Sequence, residues 1–220
     1  MRILATLAAT GAALATFISP AHAAPADPGT SHTIPVRSLL DVLPVKDETR
    51  AGYQREAFKH WVDADKDGCS TRNEVLLEEA VNQPERTGRC TLTGGTWYSP
   101  YDDTYVDEPR GLDIDHRVPL AEAWDSGAGE WTAAEREAYA NDLGDPRSLI
   151  AVTARSNRSK ADQDPATWMP PSEANQCEYY TYWVTVKSRW RLAIDPAEQT
   201  ALNQLADQCP NEPVTFELAR

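Results

Sequence analysis

The chain has 220 residues, a net charge of −13 and a sequence pI near 4.7. This acidity argues against a protein that binds nucleic acid tightly through its overall charge, because phosphate affinity normally comes from Lys and Arg. An enzyme that holds one phosphate through a cation and a few local arginines remains compatible with the composition. Without a leader, about 200 residues suffice for one domain with its own core.

The N-terminus has the features of a signal peptide. Arg2 gives a positive start, residues 3–18 are almost wholly apolar, and Ala21-His22-Ala23 has the small-x-small pattern of a cleavage site. The apolar run is short for a membrane span, and no charged stop-transfer segment follows it. We therefore expect a secreted protein with residues 1–23 removed after Ala23 and no stable membrane association; an uncleaved anchor is the alternative. Residues 24–36, rich in Pro, Ser, Thr and Gly, are expected to form a flexible lead-in.

Hydrophobic spacing and turn residues predict a mixed α+β fold that is mainly helical. Helices are expected over residues 47–61, 72–81, 132–144, 154–163, 178–191 and 196–208. Short strands or a hairpin are expected over 90–105, and single strands over 111–118 and 148–153. The expected organisation is a helical segment over residues 37–90 followed by a domain over 91–220, packed as one compact unit.

Four cysteines lie beyond the predicted leader: Cys69, Cys90, Cys177 and Cys209. An even number in an exported protein indicates two disulfides, which allow three connectivities. Pairing of sequence neighbours, Cys69 with Cys90 and Cys177 with Cys209, is the favoured one. A zinc site made of all four is disfavoured because the sequence contains no C-x-x-C pair.

An acidic segment from Asp63 to Glu74 fits the pattern D-x-[DN]-x-[DN]-G-x5-E at every required position. It resembles an EF-hand calcium loop, which the helices expected on both sides would also fit. The resemblance implies Ca²⁺ ligands at the alternate loop positions, namely Asp63, Asp65, Asp67, Cys69, Thr71 and Glu74. Ser70 stands where that family usually has an apolar residue for pairing with a second hand, and no second loop of this kind occurs. A structural calcium site is therefore expected rather than a signalling one, with a solvated acidic turn as the alternative.

Only one of the four histidines follows a predicted strand inside a polar cluster. His116 ends the run Leu-Asp-Ile-Asp-His, whereas His22 leaves with the leader, His32 lies in the lead-in and His60 lies on a predicted helix. So few histidines argue against a zinc site with several His ligands, and the sequence has no G-x-S-x-G motif. A buried structural histidine is the alternative to a catalytic one.

A second segment, residues 148–160 with the sequence SLIAVTARSNRSK, is predicted to run from a strand into a helix that carries Asn157. Together with Asp115-His116 it resembles the HNH, or ββα-metal, nucleases. It is still more similar to the C-terminal nuclease domain of GmrSD-type restriction enzymes in its small exported bacterial form. The resemblance covers about residues 96–169. It implies a ββα-metal core, preceded here by the EF-hand-like helix-loop-helix and followed by C-terminal helices.

The resemblance also implies roles for individual residues. Asp115 and Asn157 would supply oxygen ligands to Mg²⁺ or Mn²⁺, and neutral His116 would take a proton from the attacking water. No acidic residue occurs from 147 to 160, so basic side chains there would hold neighbouring phosphates, namely Arg155, Arg158 and Lys160.

Other residues are expected to support this site. The family's middle asparagine falls on Ser148, so Asn141 or Asp145 is a candidate replacement. Asp113 and Glu122 are further neighbours expected around the metal. Adjacent strand residues point to opposite faces, so Asp115 and His116 can share one site only where the strand ends before Pro119.

The sequence thus predicts a secreted, metal-dependent endonuclease of low sequence specificity that cuts DNA, with RNA as a further candidate substrate and no protein partner implied. Two alternatives belong to other classes. One is a calcium-stabilised extracellular binding or cell-envelope protein whose nuclease site has decayed. The other is a secreted ester or peptide hydrolase that uses His116 with a serine.

Overall fold

The computed structural model describes residues 27–220, so the predicted signal peptide lies outside the described residues. Within that range no helix has both the length and the apolar character needed to cross a membrane. The fold is mixed α+β, as predicted. Its α-helices are α1 Val36–Val42, α2 Thr71–Glu78, α3 Leu120–Asp125, α4 Ala133–Ala140, α5 Ala154–Lys160, α6 Gln176–Arg189 and α7 Pro196–Gln208. Its strands are β1 Ser31–Pro35, β2 Ala80–Asn82, β3 Glu85–Thr87, β4 Thr91–Thr93, β5 Thr96–Ser99, β6 Thr104–Asp107, β7 Leu112–His116, β8 Leu149–Thr153 and β9 Pro213–Glu217.

Strands β7 and β8 and helix α5 form the centre of the molecule. The two strands pair antiparallel, with Asp115 opposite Ile150 and His116 opposite Leu149. Helix α5 follows β8 directly, and its N-terminus is capped by Thr153, whose Oγ1 accepts a hydrogen bond from the Ser156 amide at 3.2 Å. These elements confirm the strands and the helix predicted for this part of the chain.

The β7–β8 pair separates two hydrophobic cores. Ile150 and Val152 face a large core that is rich in aromatic side chains from α4 and α6. On the other face, Ile114 and Ala151 pack into a smaller core around Trp97. Successive side chains of a strand point to opposite faces, so burial on both sides favours apolar residues on both faces; the polar residues of the two strands are Asp113, Asp115, His116 and Thr153. The polar residues at the end of β7 are therefore exceptions that packing alone does not explain.

The two ends of the described chain pair with each other. Ser31 lies opposite Glu217 and Pro35 opposite Pro213 in an antiparallel ladder, and α1 begins at the next residue. The flexible lead-in predicted over 24–36 is thus wrong from residue 31 onward. Its polar composition concealed a short alternating strand, in which His32 stacks on Phe216 at 5.7 Å between ring centroids.

The helix predicted over residues 47–61 is absent. That segment contains only a 3-10 turn, Arg55–Ala57, and Gly52 and Trp61 adopt positive φ. Its apolar side chains do not form one helical face, because each packs separately against a distant aromatic ring: Tyr53 on Trp124 and Phe58 on Tyr139. The entering helix of an EF-hand is consequently missing, although α2 follows the acidic loop close to where the exiting helix was expected.

Two disulfides link elements that are neighbours in sequence. Cys69 is bonded to Cys90, which ties the acidic loop to the β3–β4 hairpin, and Cys177 is bonded to Cys209, which ties α6 to the end of α7. The favoured pairing is confirmed. Closing short loops in this way stabilises mainly by restricting the unfolded chain, by about 3 kcal/mol for loops of this size.

Candidate active site

Asp115 is held at the end of β7 by two buried donors. The Lys160 Nζ lies 2.9 Å from its Oδ1 and 2.7 Å from its Oδ2, and the Tyr101 hydroxyl donates to Oδ2 at 2.7 Å. The same ammonium donates to the His116 carbonyl at 2.9 Å. Lys160 has no exposed surface, so its predicted role in holding phosphate is wrong. It neutralises and orients Asp115 instead, because a buried carboxylate needs a charged partner.

The His116 ring is buried, and one of its nitrogens is fixed. Nε2 lies 2.9 Å from the Ala140 carbonyl oxygen, which can only accept, so Nε2 carries the proton and Nδ1 has the free lone pair. The ring stacks on Trp61 and Tyr139, at 5.4 and 6.3 Å between centroids. Burial lowers the pKa of His116 to about 3, against the opposing effect of the Ala140 hydrogen bond. The imidazole is therefore neutral at physiological pH.

Asn157 on α5 faces β7 from the side of Asp113. Its Nδ2 donates to the Asp113 Oδ2 at 3.3 Å, which leaves the amide oxygen as the atom that can bind a cation. The Arg158 Nε lies 3.9 Å from the same Asp113 oxygen, with an exposed side chain. Asp113 thus orients Asn157 through this hydrogen bond.

One open cleft of about 260 Å³ joins these groups. Asp115 and His116 both line it, although they point to opposite faces of β7, because the cleft lies at the end of the strand. The other residues that line it are Arg55, Ile114, Pro119, Leu120, Asn157, Arg158, Ala161 and Asp162. Arg55 was not predicted, because it lies in the segment misread as a helix and no local pattern distinguishes it. Arg155 does not line this cleft.

The Asn141 side chain braces the wall of the cleft. Its Oδ1 accepts hydrogen bonds from the Val62 amide and the Thr71 hydroxyl, at 3.1 and 2.8 Å. Its Nδ2 donates to the carbonyls of Lys59 and Glu137, both at 2.8 Å. Because the residue before it contacts His116 through a carbonyl, Asn141 fixes both the segment that carries Trp61 and the end of α4.

Three of the predicted supporting residues are engaged in other contacts. Glu122 belongs to a buried ion cluster in which the Lys187 Nζ lies 2.6 Å from its Oε1, so its expected place near the metal is wrong. The Ser148 hydroxyl donates to the Asp142 Oδ2 at 2.7 Å and does not take over the bracing role of the motif's asparagine. Asp145 is paired with Arg147 at 2.6 Å.

The acidic loop folds around its own backbone. The Asp63 Oδ2 accepts from the Gly68 amide at 3.2 Å, and the Asp67 Oδ1 accepts from the Cys69 amide at 2.7 Å. Carboxylate oxygens of Asp63, Asp65 and Asp67 lie within 4.8 Å of one another. The Glu74 Oε1 is buried without a hydrogen-bond partner, and burial raises the pKa of that carboxyl.

Two further loop residues were expected to be ligands. The Cys69 sulfur is bonded to Cys90 and cannot bind metal as a thiolate, which leaves its backbone carbonyl as a donor. The Thr71 hydroxyl is engaged with the Val62 carbonyl and Asn141. The loop is therefore an oxygen-rich turn with one carboxylate oxygen that has no hydrogen-bond partner, and Thr71 connects it to Asn141.

Comparison with known proteins places the chain in a family. Residues 65–205 match the family described as GmrSD restriction endonucleases, C-terminal domain. The chain is also 39% identical over 186 residues to a protein of Arthroderma benhamiae named an uncharacterized secreted protein, a match that covers 84% of this chain and 90% of that protein. No solved structure matches the chain. The match spans β7, β8, α5 and the cleft between them, and the chain belongs to the family of GmrSD restriction endonuclease C-terminal domains.

Proposed function

We propose that the protein is a secreted, metal-dependent endonuclease of low sequence specificity that hydrolyses phosphodiester bonds of DNA, with RNA as a further candidate substrate. The observation that carries this proposal is the cleft in which a neutral His116, held through Nε2, lies beside Asp115 and Asn157. Membership of a restriction-endonuclease domain family supports the reaction class. A relative named as secreted and the N-terminal leader pattern support export, with cleavage after Ala23.

The residues of the cleft fit a hard divalent cation such as Mg²⁺ or Mn²⁺. Asp115 Oδ1 accepts from Lys160 alone and keeps lone pairs for a cation, and Asn157, whose amide oxygen makes no hydrogen bond to Asp113, lines the same cleft. Carboxylate and amide oxygens are among the ligands that bind Mg²⁺ in proteins. When bound there, the cation would offset the negative charge that grows on the phosphoryl oxygens and the departing 3′ oxygen.

The chain's own residues carry the proton and the phosphate. His116 Nδ1 accepts a proton from water as the water oxygen forms its bond to phosphorus and the bond to the 3′ oxygen breaks. The Ala140 carbonyl stabilises the imidazolium that results, since it accepts from Nε2. Arg55 and Arg158 line the cleft and can donate charge-assisted hydrogen bonds to the phosphate oxygens.

The acidic loop is proposed as a separate, structural Ca²⁺ site. Asp63, Asp65, Asp67 and Glu74 would supply carboxylate oxygens, with the backbone carbonyl of Cys69 and a water beside Thr71 as further ligands. The clustered carboxylates and the unpartnered Glu74 oxygen support it. Calcium here stabilises the loop that Thr71 connects to Asn141, and it takes no part in the chemistry.

The two alternative functions receive less support. A serine-type hydrolase needs a serine beside His116, and none of the described residues that line the cleft is a serine. A binding protein with a decayed nuclease site would not need to keep a histidine oriented by a backbone carbonyl next to two metal-ligand oxygens. A binding protein of this kind would not cleave nucleic acid with any cation, which the following experiment tests.

The test is plasmid digestion with Mg²⁺, Mn²⁺, Ca²⁺ or EDTA, comparing wild type with His116→Gln. His116→Gln keeps a donor for the Ala140 carbonyl but cannot act as the base, so cleavage should fall by about 10²–10⁴-fold. His32→Gln is the control, since it removes a histidine from β1, away from the cleft. Thermal melting of each variant checks that the fold survives. Wild-type cleavage rates in His116→Gln, or no cleavage by wild type with any cation, would contradict the proposal.

A further inference from the structure

A second cavity lies on the opposite flank of α5 from the catalytic cleft. It has a volume of about 390 Å³, and Arg155, Ser156 and Ser159 form its α5 side. The cleft is instead lined by Asn157 and Arg158 of α5 and by Ala161 just after it, so the two cavities share one short helix as their dividing wall. A helix with its side chains is about 10 Å across, which places the second cavity within reach of a nucleotide adjoining the one that is cut.

The far wall of this cavity carries an indole held in place. Trp168 packs edge-on against Tyr101 and Tyr179, at 5.3 and 5.6 Å between centroids, and its Nε1 donates to the Ser159 Oγ at 3.3 Å. The side chain is half-buried, so part of its surface still lines the cavity. A fixed indole suits a nucleobase, because every base has a flat face that stacks on an aromatic side chain whatever the sequence.

The charges distinguish a base from a phosphate as the occupant. Asp102 lines the cavity, and its carboxylate oxygens accept from the hydroxyls of Ser99 and Thr153, both at 2.6 Å. A carboxylate repels phosphate, whereas the exocyclic amino group of a base can donate to it. Arg155 is exposed on the α5 side, where it can contact the phosphate that connects this base to the cleaved nucleotide.

We propose that this cavity holds an unpaired base of the nucleotide next to the scissile phosphate, so that the enzyme prefers single-stranded nucleic acid. A base in a duplex would enter it only after unstacking and unpairing, both of which are unfavourable. The inference rests on the proposed nuclease function, since it assigns the strand preference of that same site.

The test measures kcat/KM for a labelled single-stranded oligonucleotide and for the same sequence in a duplex. Wild type should prefer the single strand. Trp168→Leu should lower kcat/KM on the single strand about tenfold, mainly through KM, and change the duplex value by less than about twofold. Trp168→Phe keeps an aromatic face and should recover most of the loss. Arg155→Ala, at an exposed position, should also lower the single-strand value about tenfold.

Arg89→Ala is the matched control, because it removes the same charge from the β3–β4 hairpin, which lines neither cavity. Equal rates of wild type on both substrates, or equal losses on both in the Trp168 and Arg155 variants, would overturn the cavity's role while leaving the nuclease function intact. If wild type cleaves neither substrate, the nuclease function itself fails. In that case, binding of the labelled single strand is measured for His116→Gln protein with and without the additional change Arg155→Ala. Equal binding by these two proteins overturns the inference as well.

Discussion

Lys160 and Asp115 form a buried ion pair at the centre of the candidate site, with the ammonium 2.7 and 2.9 Å from the two carboxylate oxygens. The lysine has no exposed surface and the aspartate is 5% exposed, so water does not screen the pair. Burial lowers the pKa of Lys160, while Asp115 opposes that effect. The pair thus fixes α5, which carries Asn157, to the end of β7.

Removing one partner of this ion pair should destabilise the fold far more than replacing both charged groups. Lys160→Met leaves the Asp115 carboxylate buried without a cation, and we expect a loss of about 3–5 kcal/mol in the free energy of unfolding. Lys160→Met combined with Asp115→Asn removes both charges and should be less destabilised than Lys160→Met alone. Urea denaturation followed by circular dichroism measures both. If Lys160→Met unfolds at the same urea concentration as wild type, Lys160 does not stabilise the fold by pairing with Asp115.

Calcium should raise the melting temperature through the acidic loop. For sites with dissociation constants of about 10⁻⁴–10⁻³ M, adding about 10 mM Ca²⁺ stabilises by about 1.4–2.7 kcal/mol, or about 3–10 °C in a chain of this size. Glu74→Gln removes the unpartnered carboxylate and should abolish most of that shift. Glu78→Gln, an exposed change on the same helix, should keep it. Equal melting curves of wild type with and without calcium would contradict the proposed calcium site.

Local patterns predicted the elements whose stabilising contacts are local. The capping box at the start of α4 is one example, in which the Thr132 hydroxyl accepts from the Glu135 amide and the Glu135 carboxylate accepts from the Thr132 amide. The segment over residues 47–61 was misread because its aromatic side chains bind partners far away in the chain, such as Tyr139. A helical spacing of apolar residues does not show where those partners lie.

Some residues of the candidate site could likewise be predicted from local patterns, and others could not. Asp115, His116 and Asn157 were recognisable because their spacing in two short segments matches a family pattern. The sequence could not show which basic residue of α5 is buried. Arg158 is exposed and Lys160 is buried because of the way α5 packs on β7, which no local pattern reveals. Arg55 was missed for the same reason, because only the fold of a distant segment brings it into the cleft.

Glu79 should make stability depend on pH in the neutral range. Its Oε2 accepts from the Ala151 amide on β8 at 2.8 Å, and burial raises the pKa of this carboxyl from 4.5 to about 7. A folded-state pKa above the unfolded one favours the protonated form, so its contribution to stability is complete below pH 4.5 and is lost as the pH rises through about 7.

Glu79→Gln mimics the protonated carboxyl at every pH. Its melting temperature should equal that of wild type at low pH and exceed it increasingly above neutral pH. Melting of both proteins between pH 5 and 9 measures the difference, with Glu85→Gln as an exposed control on β3. A difference that stays constant over this range would show that Glu79 does not titrate there.

Asn141 should control activity without touching substrate. Its four hydrogen bonds connect the segment of Trp61, which stacks on His116, to α4, whose last carbonyl orients the same imidazole. Asn141→Ala removes all four and should lower kcat by about 10–100-fold, as loss of such outer partners does at metal sites. KM should change little, because Arg55 and Arg158, which we propose to bind phosphate, still line the cleft. Asn175→Ala removes an amide that binds Tyr98 and Ser172, outside the cleft, and should leave kcat unchanged. If Asn141→Ala melts at a lower temperature than wild type but retains its kcat below the melting transition, Asn141 stabilises the fold alone and does not position His116.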